Sequence, residues 1–550
     1  MALNQGAPDW WRKAVLYQVY PRSFQDSNGD GIGDLKGIEQ RLGYLSDLGV
    51  DAIWISPFFK SPMRDFGYDV EDHRAVDPIF GDLNDFKRLL DAAHRRGIRV
   101  MIDLVLSHAS ETHEWFRDAR LSTDSRYSDC FVWADARPDG GPPNNWLSIF
   151  GGPAWTWEPR RRQYYLHNFL SSQPDLNFHN PVVQQEALDV ARWWLELGVD
   201  GFRLDTVNFY FHNVALKDNP PSGRGRTQVV SESNPYGFQE HLYDKNQPEV
   251  LNFLDRLGNL LAEYPGSMAL GEVGAERAWA DQLMEAYSAP GRLQLCYTFD
   301  LLSDGFSPDH FRRVIGIQSG TPLWRCLSFS NHDVVRAATR FSRDESEAPL
   351  VSKLAMALLL SLPGTPCLYQ GDELGLTEAD VPFDKLVDPY GITFWPTFKG
   401  RDGCRTPMPW NTGPNAGFTT RDGVPWLPIS EDHPALSVSE QETAESSVLT
   451  LVKDLIRIRK TELGFAAGEV RFYEMEDGIL MFDRVSGEDV VTCVFNLSRT
   501  RHTVQLDPGP IWSIVLGQQG ASIGSNERLE LPPLAWAYLK SGSPDFNSAP

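Results

Sequence analysis

The stretch GFRLDT, residues 201–206, places an arginine and an aspartate, Arg203 and Asp205, two positions apart inside an apolar run. In a β-strand, residues i and i+2 share a face, so both charges point one way while Phe202 and Leu204 point the other. A second apolar run, SMALGEV (267–273), carries Glu272 near its end, and CLSFSNHD (326–333) ends on His332 and Asp333. DLVLSH (103–108) adds Asp103 and His108. Acidic groups inside apolar runs are costly unless they are paired or used. A lone aspartate at a strand end is ordinarily a cap or a salt bridge, but several carboxylates beside two histidines and an arginine form a working set. Two carboxylates on either side of a scissile bond are the apparatus of glycoside hydrolysis: one, ionised, attacks the anomeric carbon, and the other donates a proton to the leaving oxygen. Arg203 is expected to hold Asp205 ionised, as a neighbouring cation does. Glu272, between Gly271 and Val273, has the more apolar setting, which raises a carboxyl pKa and suits a proton donor.

Such groups must come from several strands that end on one rim. Eight short apolar runs read as strands: 14–20, 51–56, 99–106, 201–206, 267–273, 293–300, 326–333 and 365–373. Amphipathic helical patterns lie between them, such as LNDFKRLLDAAHRRG and PVVQQEALDVARWWLELG, the latter ending in Gly as helices often do. Eight strand–helix repeats predict an α/β fold, a (β/α)8 barrel, whose chemistry sits at the carboxyl ends of the strands. The barrel is expected over 1–106 and 179–463. A gap of nearly 100 residues after the third strand, rich in Trp, Pro, Gly and Asn, predicts an inserted subdomain over 107–178. A long loop is read over 208–250. After the helical SSVLTLVKDLIRIRKTELGF, six alternating runs predict a C-terminal antiparallel β-sandwich over 464–550, with Trp512 and Trp536 in its core.

At 550 residues the chain has ample apolar material, 41% hydrophobic, for a large core. Its formal charge of −23 argues against nucleic acid or an anionic membrane as partner, since both repel an acidic surface. The amino terminus lacks a basic segment followed by an apolar stretch, and no run of 18 apolar residues appears, so a cytoplasmic protein is expected. The six cysteines lack CxxC spacing and are read as buried free thiols.

Taken together and in order, DLVLSH, GFRLDTVN, GEVG and FSNHD resemble the signature segments of glycoside hydrolase family 13, the α-amylase family. QPDLNFHN (173–180), DFGYDVEDHRAVDP, GRDGCRTPMPW and the segment from Ala14 to Ile38 resemble its α-glucosidase and oligo-1,6-glucosidase branch. The resemblance runs from about residue 10 to 540. It implies a retaining mechanism with Asp205 as nucleophile, Glu272 as acid/base and Asp333 as the third carboxylate, which grips sugar hydroxyls. It implies that Asp65, Tyr68, His108, Arg203, His332 and Arg401 hold a non-reducing glucose, with Phe150 and Phe169 as aromatic walls. The residue after the nucleophile helps to set linkage, Val accompanying α-1,6 preference and Ala or Thr α-1,4; here it is Thr206. A maltose-type α-1,4 disaccharide is therefore the expected substrate, with water or an alcohol as acceptor and transglucosylation beside hydrolysis. The rival readings are a sucrose- or trehalose-acting transglucosidase or isomerase of the same fold and a non-catalytic binding subunit. No organic cofactor is expected, and no oligomeric state is read from the sequence.

Ser107 stands where calcium-dependent amylases carry Asn, so the calcium site of those enzymes is not expected. DSNGDGIGD places Asp26, Asn28, Asp30 and Asp34 at alternating positions of a Gly-rich turn, close to the start of an EF-hand loop but without Glu at the twelfth position, which is Gly37. With Asp34 and the Ile32 carbonyl completing the shell, as in similar α-glucosidases, one structural divalent cation is expected, calcium ahead of magnesium on ligand number.

Overall fold

The computed structural model describes residues 9–223, 230–231, 233–275, 277–316, 324–462, 464–465, 468–475, 477–508, 510–518 and 520–542. Residues 224–229 and 232, part of the loop read over 208–250, lie outside them. Each of the eight apolar runs contains a strand: β1 (Leu16–Val19), β2 (Ala52–Ile55), β3 (Arg99–Leu104), β4 (Gly201–Leu204), β5 (Met268–Val273), β6 (Leu295–Thr298), β7 (Cys326–Leu327) and β8 (Thr365–Tyr369). They form one sheet in the order β6-β5-β4-β3-β2-β1-β8-β7, and every pairing is parallel. β6 and β7 adjoin at the seam, so the sheet is nearly closed as a (β/α)8 barrel.

Two strands are shorter than the sequence suggests. β4 stops at Leu204, and Asp205 stands just beyond it in a turn whose next residue, Thr206, has a left-handed backbone with φ of 41°. β7 is two residues long, and the chain from Ser328 to Asp333 is irregular. In both places the chain leaves the ladder to aim a side chain, which apolar patterning does not register.

Alternation along the strands sorts two cores. Tyr17, Ile53, Ile55, Val100, Ile102, Phe202, Leu204 and Ala269 face outward into the large core shared with the helices. Leu16, Trp54, Met101, Met268, Leu270 and Leu295 face inward and fill the barrel. Two residues further along each strand the inward file turns polar: Leu16 gives way to Gln18, Met101 to Asp103, Gly201 to Arg203, Leu270 to Glu272 and Leu295 to Tyr297. The strand period alone thus converts an apolar plug into a polar floor.

The helices that hold the strands are capped as their sequences suggest. Asp82 and Asp85 form a capping box at the start of Leu83–Arg95. Asn180 caps Pro181–Leu197, with Pro at the first turn and Gly198 closing it in the left-handed region at φ 107°. Between β3 and that helix, Trp133–Ala134, Trp155–Glu158 and Gln163–Leu166 pair as a small antiparallel sheet. The C-terminal region packs five strands, Glu469–Phe472, Ile479–Ser486, Asp489–Asn496, Trp536–Gly542 and Ile511–Gly517, with a three-stranded sheet of His502–Gln505, Arg528–Leu531 and Ser522–Gly524. The last two are absent from the six runs read in sequence, Ser522–Gly524 being only three residues long and Arg528–Leu531 interrupted by charge. Trp536 is fully buried in the large core shared with the barrel helices rather than in the sandwich's own core, against which Trp512 is half-buried. All six cysteines are buried and free. Among the described residues no helix is long and apolar enough to cross a membrane.

Candidate active site

The polar floor is organised around one side chain. Arg203, fully buried, places Nη1 2.9 Å from Asp103 Oδ1 and 2.6 Å from Asp205 Oδ1, and Nη2 2.7 Å from Glu272 Oε1. Tyr297, paired with Glu272 across the β5–β6 ladder, accepts from Nη2 at 2.8 Å and donates to Glu272 Oε1 at 2.8 Å. The backbone N–H of Thr206 donates to Glu272 Oε2 at 3.0 Å, and its hydroxyl lies 3.2 Å from Asp205 Oδ2 and 3.0 Å from Ser107 Oγ. One guanidinium and one threonine therefore touch both carboxylates that the sequence singles out.

The electrostatics differ from expectation in one respect. Arg203 is not reserved for Asp205; it is divided among three buried carboxylates. Burial dominates at each of them, raising Asp205 and Glu272 to about 7 and Asp103 to about 6 against the opposing pull of Arg203. The raised Glu272 agrees with its apolar setting in sequence, whereas the raised Asp205 overturns the reading that Arg203 alone keeps it ionised. Desolvation and the neighbouring acids Asp103 and Asp333 outweigh a shared cation. Asp333 goes the other way. Burial again pushes upward, but His332, Arg401 at 3.2 Å and Arg405 at 3.0 Å hold it below the ordinary carboxylate range.

A cavity of about 1420 Å³ opens above this floor, lined by Asp205, Glu272 and Asp333 and by every sequence-predicted binding residue except Arg203, which lies beneath. At one end Arg401 Nη2 meets Asp65 Oδ1 at 2.7 Å, and Gln173 bridges Asp65 and His108 at 3.2 Å each. Tyr68 donates to Asp103 at 3.0 Å and pairs with His332 at 2.5 Å, its ring stacked on that imidazole. Phe150 and Phe169 meet edge to face 5.7 Å apart, and Arg401 lies 4.9 Å from the centre of the Phe150 ring. Asn234, from the loop after β4, donates to the Ile149 carbonyl and to Tyr390, and Tyr390 stacks on Phe150. Insert, loop and barrel are thus knitted over this end, and Ser222, Ser231 and Glu240 of the loop also line the cavity.

Several participants were not singled out from sequence. Asp388 holds Arg401 at 2.8 Å and Arg405 binds the His332 carbonyl at 2.7 Å. Arg405 and Gln173 stand inside GRDGCRTPMPW and QPDLN, segments whose resemblance alone does not mark these two positions. Tyr297 and Asp388 carry no local signal, since their role exists only through pairing with distant residues.

The oxygens of the Gly-rich turn accept from its own N–H groups. Asp26 accepts from Asn28, Gly29 and Gly31, Asp30 from Ile32, and Asp34 from Ser27 and Gly37. Among the described residues no three His, Cys, Asp or Glu side chains converge as metal donors. The turn's donors are all oxygen, the type hard divalent cations take; Asp30 Oδ1 and Oδ2 and Asp34 Oδ1 each accept one hydrogen bond and keep a second lone pair, whereas Asp26 Oδ1 and Oδ2 and Asp34 Oδ2 each already accept two.

Comparison with known proteins agrees with this architecture. The family model described as "Alpha amylase, catalytic domain" matches residues 18–468. A "Probable alpha-glucosidase" of Rhizobium meliloti is 52% identical over 503 residues, covering 90% of this chain and 91% of that protein. An "Oligo-1,6-glucosidase" of Heyndrickxia coagulans is 34% identical over 552 residues, covering 92% and 96%. Among solved structures, the alpha-glucosyl transfer enzyme XgtA superposes with a TM-score of 0.92 at 50% identity, covering 97% of this chain and 100% of that one. The trehalulose synthase MutB from Pseudomonas mesoacidophila MX-45 does so with 0.87 at 32% identity, covering 98% and 100%. With the model matching most of its length and a near relative spanning nine-tenths of it, the chain belongs to the α-amylase family and is a glycoside hydrolase.

Proposed function

We propose that this enzyme is a retaining α-glucosidase that removes one terminal glucose from short α-glucosides. The observation that carries the reading is the single Arg203 guanidinium holding Asp205 and Glu272 together at the floor of a cavity that Asp65, His108, Asp333 and Arg401 also line. A retaining pair stands ~5–5.5 Å apart, a spacing adjacent nitrogens of one guanidinium readily serve. Asp205 forms a bond to the anomeric carbon as the glycosidic bond breaks, and the Glu272 proton passes to the departing oxygen. Water or an alcohol then gives its proton to Glu272 while its oxygen takes the anomeric carbon and frees Asp205. Asp333, held ionised by two arginines, grips ring hydroxyls together with Asp65, Tyr68, His108, His332 and Arg401, between walls of Phe150 and Phe169. Asp205→Asn is expected to lose more than a thousandfold in turnover with an unchanged melting temperature; retained turnover removes Asp205 from the nucleophile's role.

The shared pKa near 7 has a kinetic consequence. The working state needs Asp205 ionised and Glu272 protonated, and burial raises each to about 7 against the pull of Arg203, with Asp103 and Asp333 adding to the rise at Asp205 and Asp205 and Asp333 to that at Glu272. Below neutrality a second proton occupies Asp205 and blocks attack; above about 7 the last proton leaves Glu272 and no acid remains. A bell-shaped pH dependence of kcat/KM with its maximum near neutrality is the expected profile. A profile still rising at high pH contradicts it.

Thr206 supports α-1,4 selectivity in the maltose sense. Its left-handed backbone fixes the side chain, and the hydroxyl sits between Ser107 and Asp205 beneath the leaving group. Valine removes both hydrogen bonds and adds an apolar surface where the second sugar lies. Differences of ~1–3 kcal/mol suffice for 10–200-fold selectivity. Thr206→Val is expected to lower the maltose-to-isomaltose ratio of kcat/KM by about tenfold, and a wild-type enzyme that prefers isomaltose overturns the assignment. Transfer to alcohols alongside hydrolysis is supported by the apolar outer wall, where Trp279, 45% exposed, Val335, 37% exposed, and Phe299 line the cavity. Sucrose- or trehalose-acting transfer shares the same catalytic groups, and product identification on maltose, isomaltose, sucrose and trehalose separates these readings.

The Gly-rich turn is proposed to hold one structural cation, calcium before magnesium, through Asp26, Asn28, Asp30, the Ile32 carbonyl and Asp34. Binding to the folded state alone stabilises by mass action, about 2.7 kcal/mol at a hundredfold excess over Kd. A chelator should lower the melting temperature by several degrees and added calcium should restore it; a melting temperature indifferent to both removes the site.

A further inference from the structure

The break that aims Asp205 leaves β5 without a neighbour where it matters. β4 and β5 pair from Gly201 and Met268 up to Leu204 and Gly271. Beyond that rung the β4 chain turns away through Thr206, and no rung of the ladder pairs Glu272, Val273 or Gly274 with β4. The buried Asn208 side chain takes its place. Its Oδ1 accepts from the Gly274 N–H at 3.1 Å and its Nδ2 donates to the Gly274 carbonyl at 3.1 Å, as a neighbouring strand would. Lys245, also fully buried, donates to the same carbonyl at 2.9 Å. Lys245 is itself set by its surroundings: its ammonium lies 5.0 Å from the ring centre of Phe209 and 5.4 Å from that of Tyr236. Asn246 N–H donates to the Asn208 carbonyl and Asn208 Nδ2 to Asn246 Oδ1 at 2.7 Å, tying the two anchors together.

The Lys245 ammonium is buried next to Asp244, whose carboxyl it and His241 hold below the ordinary range against burial, and Met or Leu would fill the same volume with no charge to desolvate. Its site of action is a carbonyl two residues from Glu272, opposite the side where β6 supports the strand through Glu272–Tyr297 and Val273–Thr298. We propose that Asn208 and Lys245 are positioning residues for proton donation: they act through Gly274 to fix the end of β5, and so hold the Glu272 carboxyl in line with the leaving oxygen. This rests on the reading of Glu272 as the donor. It also assigns the segment after β4 a part in the chemical step, beyond lining the cavity.

A misplaced acid and a loosened loop differ in what they do to different leaving groups. A 4-nitrophenolate departs with little help from an acid, whereas the oxygen of an alkyl glucoside must be protonated. Asn208→Ala and Lys245→Met, with Asn208→Asp and Lys245→Arg as milder versions where the first pair fold poorly, are assayed on 4-nitrophenyl and methyl α-glucosides. The ratio of the two kcat/KM values does not depend on how much of a preparation is folded. It is expected to rise about tenfold or more in N208A and K245M, a share of the ~10²–10⁴ that general acid catalysis supplies, and less in the milder variants. Glu272→Gln assayed alongside separates the two claims. If E272Q leaves the ratio unchanged, Glu272 is not the donor and the underlying reading fails. If E272Q raises it while all four variants keep the parental ratio, the reading stands and the positioning role is overturned.

Discussion

Everything in the barrel's upper half answers to one imbalance: a single buried guanidinium, Arg203, faces Asp103, Asp205 and Glu272 at once. Removing such charges from water costs several kcal/mol per ion, and their mutual attraction offsets this only when the remaining lone pairs find donors. The structure supplies those donors with little freedom. Tyr297, Tyr68, Trp54 and the Thr206 N–H each hold one of the three acids. One cation against three acids leaves the floor short of positive charge, so a proton is retained near neutrality. The same deficit that makes the floor costly makes it an acid.

The second cationic centre is built to the opposite purpose. Arg401 and Arg405 face Asp333, Asp65 and Asp388, and there Asp333 and Asp388 are held below the usual range, while burial still raises Asp65. Two clusters of arginine and carboxylate, meeting at His332, therefore carry opposite protonation preferences within one cavity. Both the ratio of cations to acids and burial enter: the Asp333 side chain is 23% exposed between its two arginines, whereas those of Asp205 and Glu272 are nearly enclosed. A sugar lying across both meets permanent negative charge beside its hydroxyls and a transferable proton at its scissile bond.

How much of this is legible in the chain follows from the range of the signal. The barrel strands are long apolar runs with helices between them, so their periodicity is local and all eight are found at their places. Asp205, Glu272, Asp333, His108 and Arg401 stand out because they interrupt such runs or sit in recognisable segments, and the fold brings them to one cavity. What escapes is what depends on pairing. Tyr297 matters only because Glu272 is its rung partner, and Asp388 only because Arg401 reaches it. Arg203 next to Asp205 invited a two-body argument for an ionised carboxylate. The floor is a four-body problem, and Asp103 and Glu272 reach it from strands about 70 to 100 residues away in sequence.

The left-handed Thr206 links the two levels. A β-branched residue at positive φ costs roughly 1–3 kcal/mol and persists only where its surroundings over-determine it. Here its N–H is committed to Glu272, its hydroxyl to Ser107 and Asp205, and the chain beyond it to the segment that carries Asn208. Relaxing Thr206 into the strand would return β4 to its ladder, and the same movement would withdraw Asp205 from the cavity floor and take the N–H from Glu272. A continuous strand would pair better with β5 but would carry its aspartate along the barrel wall instead of beneath a substrate. The stability given up at one residue just beyond β4 is what separates a barrel that merely folds from one whose two acids meet.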